Sequence, residues 1–412
     1  MKGSVFKRCT RCQRRVAERR CPNCGAASFS WAYRAYVGKD ASGRWREQFR
    51  SGFDRKADAD RALAELMASL HGGSFVARSS TTVGAYLLDQ WLPATAPPRV
   101  RYETWNDRRS NLELYVLPRI GGVALQELSP AHLNRLYTDL LKKGGSVRVA
   151  GLSPTSVRRV HALLRKAFND AVRWGLIERN PALKADPPPA RLAQASRRSS
   201  MTTWEPGQLR HFLDVTWSHA HHASWVFAAT TGVRRSELLG LRWRDVDLRR
   251  GLAGIRQTIV GGPDGYMPVQ QHKTDASSRT LHLDSRTLGV LRMHRDGQAK
   301  VRAALDERWE DHGLVFCRDD GRWRSPSAVS ASFRRAVARV DSLPAIRFHD
   351  LRHTHATLLL AAGVNPKVVS ERLGHSSVSF TLDTYAHVMP GMQPEAAQLF
   401  VDLIYPDTEE AS

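Results

Sequence analysis

The spacing of apolar residues changes several times along this chain, and each change predicts a different kind of element. From Trp31 to Phe53, aromatic and polar positions alternate around a Lys-Asp-Ala-Ser-Gly turn at residues 39–43, which predicts a β-hairpin. From Lys56 to Leu70 the period lengthens, with Ala59, Leu63, Leu66 and Leu70 on one helical face. The stretch from His71 through Ser79-Ser80, rich in Gly and Ser, reads as a linker. Residues 82–183 are helical in pattern throughout. Val83, Tyr86, Leu87 and Trp91 recur at helical spacing, and Ser129-Pro130 opens a helix carrying Leu133, Leu136, Tyr137 and Leu140 toward a Gly144-Gly145 stop. Ser153-Pro154 opens another, apolar at Val157, Val160, Leu164 and Ala171. Pro187-Pro188-Pro189 through Ser200 reads as an extended basic tether. Beyond it, residues 201–405 return to helical pattern, interrupted by strand-like runs at 252–260, 266–272 and 279–283. A last helical stripe carries Ala396, Phe400, Leu403 and Ile404. The expected fold is multidomain, mainly α with small β-sheets.

Charge narrows the class of partner. The 412 residues carry 62 Lys and Arg against 40 Asp and Glu, a net +22, with 42% hydrophobic residues. That balance favours a polyanion, and the apolar content excludes a basic tail without a core. No apolar run reaches the ~18 residues of a spanning helix, and no signal peptide is read at the start. A cytoplasmic protein acting on nucleic acid is therefore expected over one bound to anionic membrane. Charge is densest in residues 1–60, with fifteen Lys and Arg against six Asp and Glu.

The same region holds four of the five cysteines, as Cys9-x-x-Cys12 and Cys21-x-x-Cys24. In a cytosolic chain this spacing reads as metal ligands, and four thiolates suit tetrahedral zinc, each pair forming a knuckle with Gly25 easing the second turn. Two redox or free thiol pairs are the alternative. Cys317, in the apolar run Leu314-Val315-Phe316-Cys317, reads as core, and His219, His221 and His222 as incidental neighbours rather than ligands.

Chemistry concentrates between His349 and Tyr385. His349 and Arg352 stand three apart, His375 follows Leu373-Gly374, and Tyr385 lies ten residues further on. A phenol is a weak nucleophile at its ordinary pKa of about 10, so basic neighbours make sense where a phosphodiester is held and attacked. No carboxylate cluster accompanies them, which argues against a metal-dependent nuclease. This set resembles the C-terminal signature of the tyrosine recombinase (phage integrase) family. Two upstream pieces resemble it as well: Thr231-Gly232-Val233-Arg234-Arg235-Ser236-Glu237-Leu238, and His272-Lys273-Thr274 followed by Ser278-Arg279.

The resemblance implies a site-specific DNA recombinase, an integrase of a phage or other mobile element. Tyr385 would attack the scissile phosphate and leave a 3′-phosphotyrosyl link. Arg234 and Arg352 would hold the nonbridging oxygens, Lys273 protonate the departing 5′-oxygen, His349 assist proton transfer at the tyrosine and His375 hydrogen-bond the phosphate. Glu237 would orient Arg234 or its neighbours. No cofactor is implied for catalysis; the structural zinc would fall to Cys9, Cys12, Cys21 and Cys24. Implied partners are double-stranded DNA attachment sites, three further copies in a homotetramer on DNA, and host- or element-encoded directionality factors. The implied domains are a four-cysteine, zinc-ribbon-like motif at 1–28, an arm-type-site DNA-binding domain at 29–72, a helical SAM-like core-binding domain at 82–183 and a catalytic domain at 201–405. In the family, the C-terminal helix docks on a neighbouring protomer or back on its own.

DNA-contact candidates are Arg34, Arg44, Arg46 and Arg50 on the first sheet, and Arg158, Arg165, Lys166 and Arg173 along one helix face, where a solvated face is the alternative. Two other functions stay open: a type IB topoisomerase-like strand transferase, and a zinc-ribbon DNA-binding regulator with a relict catalytic domain.

Overall fold

The computed structural model describes residues 3–39, 43–72, 75–143, 151–199, 202–263, 265–270, 278–375, 377–385 and 393–404. Its contacts divide the chain into two units. One comprises the chain up to Ala96 with Trp105–Ala193, the other Pro97–Thr104 with everything from Gln194 on.

The first unit begins with four antiparallel strands, β1 (Gly3–Cys9), β2 (Arg15–Val16), β3 (Phe29–Lys39) and β4 (Trp45–Phe53), in the order β2-β1-β3-β4. The predicted hairpin is the β3–β4 pair, and its turn at 40–42 lies outside the described residues. Successive side chains of a strand point to opposite faces. One face therefore carries Tyr33 and Ala35, buried with Leu66 of the helix Lys56–His71, while Leu63 and Leu70 pack at its margin. The other face carries Phe6, Arg8, Arg34 and Phe49.

A helical core follows. Val83, Tyr86, Leu87 and Trp91 are fully buried against Leu133, Leu136, Tyr137 and Leu140 of the helix Pro130–Lys142. Val157, Val160, Leu164 and Ala171 of Pro154–Arg173 join the same core. Ser129 and Ser153 cap these two helices as their spacing predicts. Gly144 and Gly145 lie outside the described residues. Inside the core, Trp91 Nε1 donates to Asp170 Oδ2 at 2.9 Å, and Asp170 also pairs with Lys166 and Arg173, each at 2.9 Å. Two of the four predicted DNA-facing cations on this helix are thus committed to neutralising a buried carboxylate.

One expectation is corrected. The segment after Pro187-Pro188-Pro189 is not extended, because Ala190–Ser199 forms a helix. Alanines 190, 193 and 195 are strong helix formers, and the prolines stand before the first turn, where a missing N–H does no harm. Arg158 Nη1 donates to Pro188 O at 2.7 Å and Thr155 Oγ1 to Ala193 O at 3.0 Å, holding the segment to the preceding helix.

The second unit packs around Trp204, Phe212, Trp225 and Phe333, whose ring centroids lie 5.0–6.0 Å apart. Among the described residues five short strands decorate it: β5 (Val246–Asp247), β6 (Leu252–Ile255), β7 (Gln257–Gly262), β8 (Gly265–Gln270) and β9 (Arg279–His282). The single strand-like run predicted at 252–260 breaks at Arg256 into two strands of different sheets, β5-β6-β9 and the hairpin β7-β8. His219 and His221 pack around Trp225, with ring centroids 4.4 and 6.1 Å away. Cys317 is buried, accepts a hydrogen bond from Gln298 Nε2 at 3.0 Å, and burial pushes its thiol pKa up. The last helix, Gln393–Ile404, leaves Phe400, Leu403 and Ile404 exposed. Among the described residues, no helix is long and apolar enough to cross a membrane.

Candidate active site

Two glycines at helix ends bring the sequence motifs together. The buried helix His222–Thr231 stops at Gly232, in left-handed conformation at φ 65°. A Cβ there would lie 2.6 Å from Leu373 Cδ2 and 2.8 Å from the His355 ring, so close packing and backbone both require glycine. Its carbonyl accepts from Arg352 Nη1 at 2.7 Å. The helix Pro366–Leu373 stops the same way at Gly374, φ 67°, whose carbonyl accepts from Arg234 Nη2 at 2.6 Å. Each arginine is therefore anchored to the main chain of the opposite motif, 140 residues away in the case of Arg234.

Glu237 is the hub beneath them. Its side chain is wholly buried, accepting from Arg234 N at 2.8 Å, Arg234 Nη1 at 2.7 Å and Arg279 Nη2 at 2.9 Å. Burial alone would raise its carboxyl pKa. The hydrogen bonds and positive charge of Arg279 and Arg234 outweigh that and hold it below the usual carboxylate range. Arg279 continues the chain of contacts, donating from Nε to Arg372 O at 2.7 Å.

Arg352 is only 4% exposed. Among the described residues its buried Nη2 has no hydrogen-bond partner, and burial followed by the charge of Arg234 pulls its pKa down to about 9. His375 Nδ1 lies 2.7 Å from Thr381 Oγ1, and burial, then Arg352 and Arg234, lower its pKa to about 3. Tyr385, 1% exposed at the end of the helix Val378–Tyr385, has its hydroxyl 2.7 Å from Nδ1 of His353. Burial pushes the phenol pKa up to about 12 against the pull of Arg352. His349 is exposed at the start of the helix Asp350–Ala361. It lines, with Arg234, Arg235, Arg334 and Arg347, a cleft of about 900 Å³.

The structure therefore collects Arg234, Glu237, Arg352, His375 and Tyr385 around one centre, with His349 at the adjoining cleft. Lys273 lies outside the described residues. Two participants have no role in the sequence reading. Arg279 stands in a quoted motif, but nothing local tells a strand arginine that its partner is a glutamate 42 residues back. His353 had a usable signal, since positions 349, 352, 353 and 356 share a helix face.

On the first sheet the cationic candidates divide. Arg34 stands on the open face, paired with Glu47 at 2.8 Å. Strand alternation puts Arg46 and Arg50 on the face the helix covers, at the edge strand, and Arg44 just before β4. The open face instead gains Arg8, 4.8 Å above the Phe49 ring, and Arg15, 5.0 Å above Phe6. Beside it, the four cysteine sulfurs converge to within 4.8 Å of one another, with Cys9–Cys24 at 3.6 Å and Cys12–Cys21 at 3.3 Å. Sulfurs around a tetrahedral zinc stand roughly 3.8 Å apart, from a Zn–S distance of about 2.3 Å, so the donor set fits that ion. Both knuckles close with a positive φ after the second cysteine, at Gln13 (66°) and Gly25 (68°). Among the described residues this is the one group of side chains arranged to hold a metal.

Comparison with known proteins covers both units. The Phage integrase family profile matches residues 200–391, and that of the phage integrase N-terminal SAM-like domain matches 85–141. The chain is 26% identical over 389 residues to a tyrosine recombinase XerC-like protein of Caldanaerobacter subterraneus, covering 89% of this chain and 94% of that one. It is 28% identical over 370 residues to an integrase of Streptomyces ambofaciens, covering 86% and 88%. Among solved structures, the Tn1549 transposon integrase in complex with a circular intermediate DNA matches at TM-score 0.62 and 21% identity, over 78% of this chain and 100% of that one. A lambda integrase dimer bound to a COC′ core site matches at 0.53 and 17%, over 86% and 92%. At these identities the solved structures establish the fold.

Proposed function

This chain belongs to the phage integrase family of tyrosine recombinases, enzymes that cut and rejoin DNA, and from that premise we propose how its own residues do so. Tyr385 Oη attacks the scissile phosphorus, the P–O5′ bond breaks, and a 3′-phosphotyrosyl bond stores its energy for rejoining. Arg234 and Arg352 hold the nonbridging oxygens, where charge grows in the transition state, and His375 supplies a hydrogen bond to the phosphate. Glu237 and Arg279 position Arg234. Lys273 gives the departing 5′-oxygen its proton.

The observation that carries this reading is the buried Nη2 of Arg352, which has no hydrogen-bond partner among the described residues. A buried guanidinium with one donor left open, in the field of a second arginine and of a buried tyrosine hydroxyl, is suited to an anion arriving between them. The decisive experiment is covalent trapping on a duplex nicked beside the scissile phosphate. The unaltered protein is expected to accumulate a protein–DNA adduct and Tyr385→Phe none, and an adduct in that variant would overturn the assignment. Exchange between two marked duplexes then distinguishes recombination from relaxation.

The substrate is proposed to be attachment-site DNA of a phage or other mobile element, in the cytoplasm of the host. The DNA in the Tn1549 and lambda integrase complexes supports that ligand class. The four domains proposed are a four-cysteine ribbon at 1–28, an arm-site reader at 29–72, a core-binding domain at 82–183 and a catalytic domain at 201–405. Arg34 with Arg8 and Arg15 would meet phosphates on the open sheet face, and Arg158 and Arg165 on the core-binding helix. Cys9, Cys12, Cys21 and Cys24 would hold zinc, which would brace the ribbon. Four copies acting on two duplexes, with accessory directionality factors, complete the reading; the exposed Phe400, Leu403 and Ile404 supply an apolar surface for that assembly.

A further inference from the structure

A phenol that attacks phosphorus must lose its proton, and the geometry names the atom nearest to receive it. Among the described residues, the hydrogen-bond partner of Tyr385 Oη is His353 Nδ1, at 2.7 Å, with the rings 5.8 Å apart and inclined at 53°. That distance lies within the range required of a general base. His349, to which the sequence assigns proton transfer, lies one turn earlier, exposed, its ring edge-on to His353 at 5.1 Å. We propose that His353 is the general base for Tyr385, accepting the phenol proton as Oη bonds to phosphorus.

The proposal rests on the phosphotyrosyl reading above, and its steps balance. The Oη–P bond forms as the P–O5′ bond breaks, the phenol proton passes to His353 Nδ1, and the 5′-oxygen takes a separate proton from Lys273. In rejoining, the 5′-hydroxyl attacks, the P–Oη bond breaks, and the His353 imidazolium returns the proton to the phenolate. The surroundings suit both directions. Burial is the main influence lowering the His353 pKa, so the ring is neutral and able to accept at neutral pH. The groups facing it are His349, Asp350, Arg352 and Arg347 from its own helix and the approach to it, Tyr385 from the helix Val378–Tyr385, and His375 from the loop before that helix. Of these, the buried Asp350 favours the imidazolium, and Arg352 and Arg347 oppose it.

The test compares full-length His353→Gln, His349→Gln and Tyr385→Phe in single-turnover adduct formation across pH. Glutamine keeps hydrogen-bonding reach without taking up a proton. His353→Gln should footprint on site DNA as the unaltered protein does. It should form adduct at least about 10²-fold more slowly, the lower scale of a lost general base, and lose the rise of rate with pH on the acid side. His349→Gln should keep that rise. A duplex with sulfur in place of the bridging 5′-oxygen has a leaving group that needs no proton, so it should restore Lys273→Ala and leave His353→Gln slow. Rescue of His353→Gln by sulfur, an unchanged rate and pH profile, or transfer of the defect to His349→Gln would each overturn the proposal. Adduct formation by Tyr385→Phe would instead overturn the reading on which it rests.

Discussion

Arg279 closes over Glu237 with two contacts, Nη2 to Oε2 at 2.9 Å and Nη1 to Oε1 at 3.2 Å, and both side chains are buried. Replacing Arg279 by Met strands a buried carboxylate beside Arg234 alone. Urea unfolding should show a loss of about 3–5 kcal/mol, the scale of breaking one side of a buried pair. Because the folded-state pKa of Glu237 lies below the ordinary 4.5, its charge stabilises the protein above that value and the gain is lost as pH falls through the depressed one. Glu237→Gln should therefore flatten the acid side of the stability profile, measured by denaturant midpoint against pH. An unchanged acid limb would mean that the hub carries no stability.

The two anchored arginines should act in the reaction rather than in binding. Arg234→Ala or Arg352→Ala is expected to lower single-turnover cleavage by at least about 10²-fold, as removal of one preorganised donor does. Site occupancy by footprinting should stay close to that of the unaltered protein. Normal cleavage in either variant would move the active site elsewhere.

Gly374 should tolerate nothing larger. A Cβ would stand 2.7 Å from Arg279 Nη1, and φ 67° is itself strained for an L-residue. Gly374→Ala should cost about 1–3 kcal/mol and slow cleavage, because Arg234 is held by the carbonyl of that glycine and Arg279 by that of Arg372 two residues before it. Thermal midpoint and adduct rate measure the two losses separately.

Zinc removal should act on the N-terminal end alone. Native mass spectrometry is expected to find one zinc per chain, lost on Cys9→Ser or Cys21→Ser together with the arm-site footprint. Adduct formation on an isolated core site should continue in excess chelator. A fragment beginning near Ser80 should behave the same way.

Arg8 and Arg15 give a quantitative check on the open sheet face. If each neutralises one phosphate, Arg8→Ala or Arg15→Ala should lower the slope of log affinity against log salt by about one unit for arm-site DNA. Arg50→Ala, on the covered face, should leave that slope unchanged.

The sequence is legible wherever a local rule decides. The stripes at Val83–Trp91 and Leu133–Leu140 are buried as their period implies, and the cysteine pairs converge because each knuckle is a local turn. It fails where a decision is made at a distance. Arg34 parts from Arg46 and Arg50 because strand parity follows pairing, which shifts between Trp31 and Ala32 and again between Tyr36 and Lys39. Ala190–Ser199 is read as extended because its contacts to Arg158 and Thr155 of the preceding helix are not visible in the local sequence. Arg279 carries no signal of its own until tertiary contact supplies Glu237, and the helix face that His353 shares with His349 and Arg352 does not say which of the two histidines meets Tyr385.

The glycine-ended helices carry a consequence for how this centre can diverge. Arg352 is held by the carbonyl of Gly232, Arg234 by that of Gly374 and Arg279 by that of Arg372. A carbonyl is a partner that every residue supplies, so each anchor depends on where the chain passes rather than on what side chain it bears there. Around such anchors the surface can be rewritten for new DNA sequences while the reaction stays in place. A one-residue insertion at either helix end, by contrast, would displace an anchor outright.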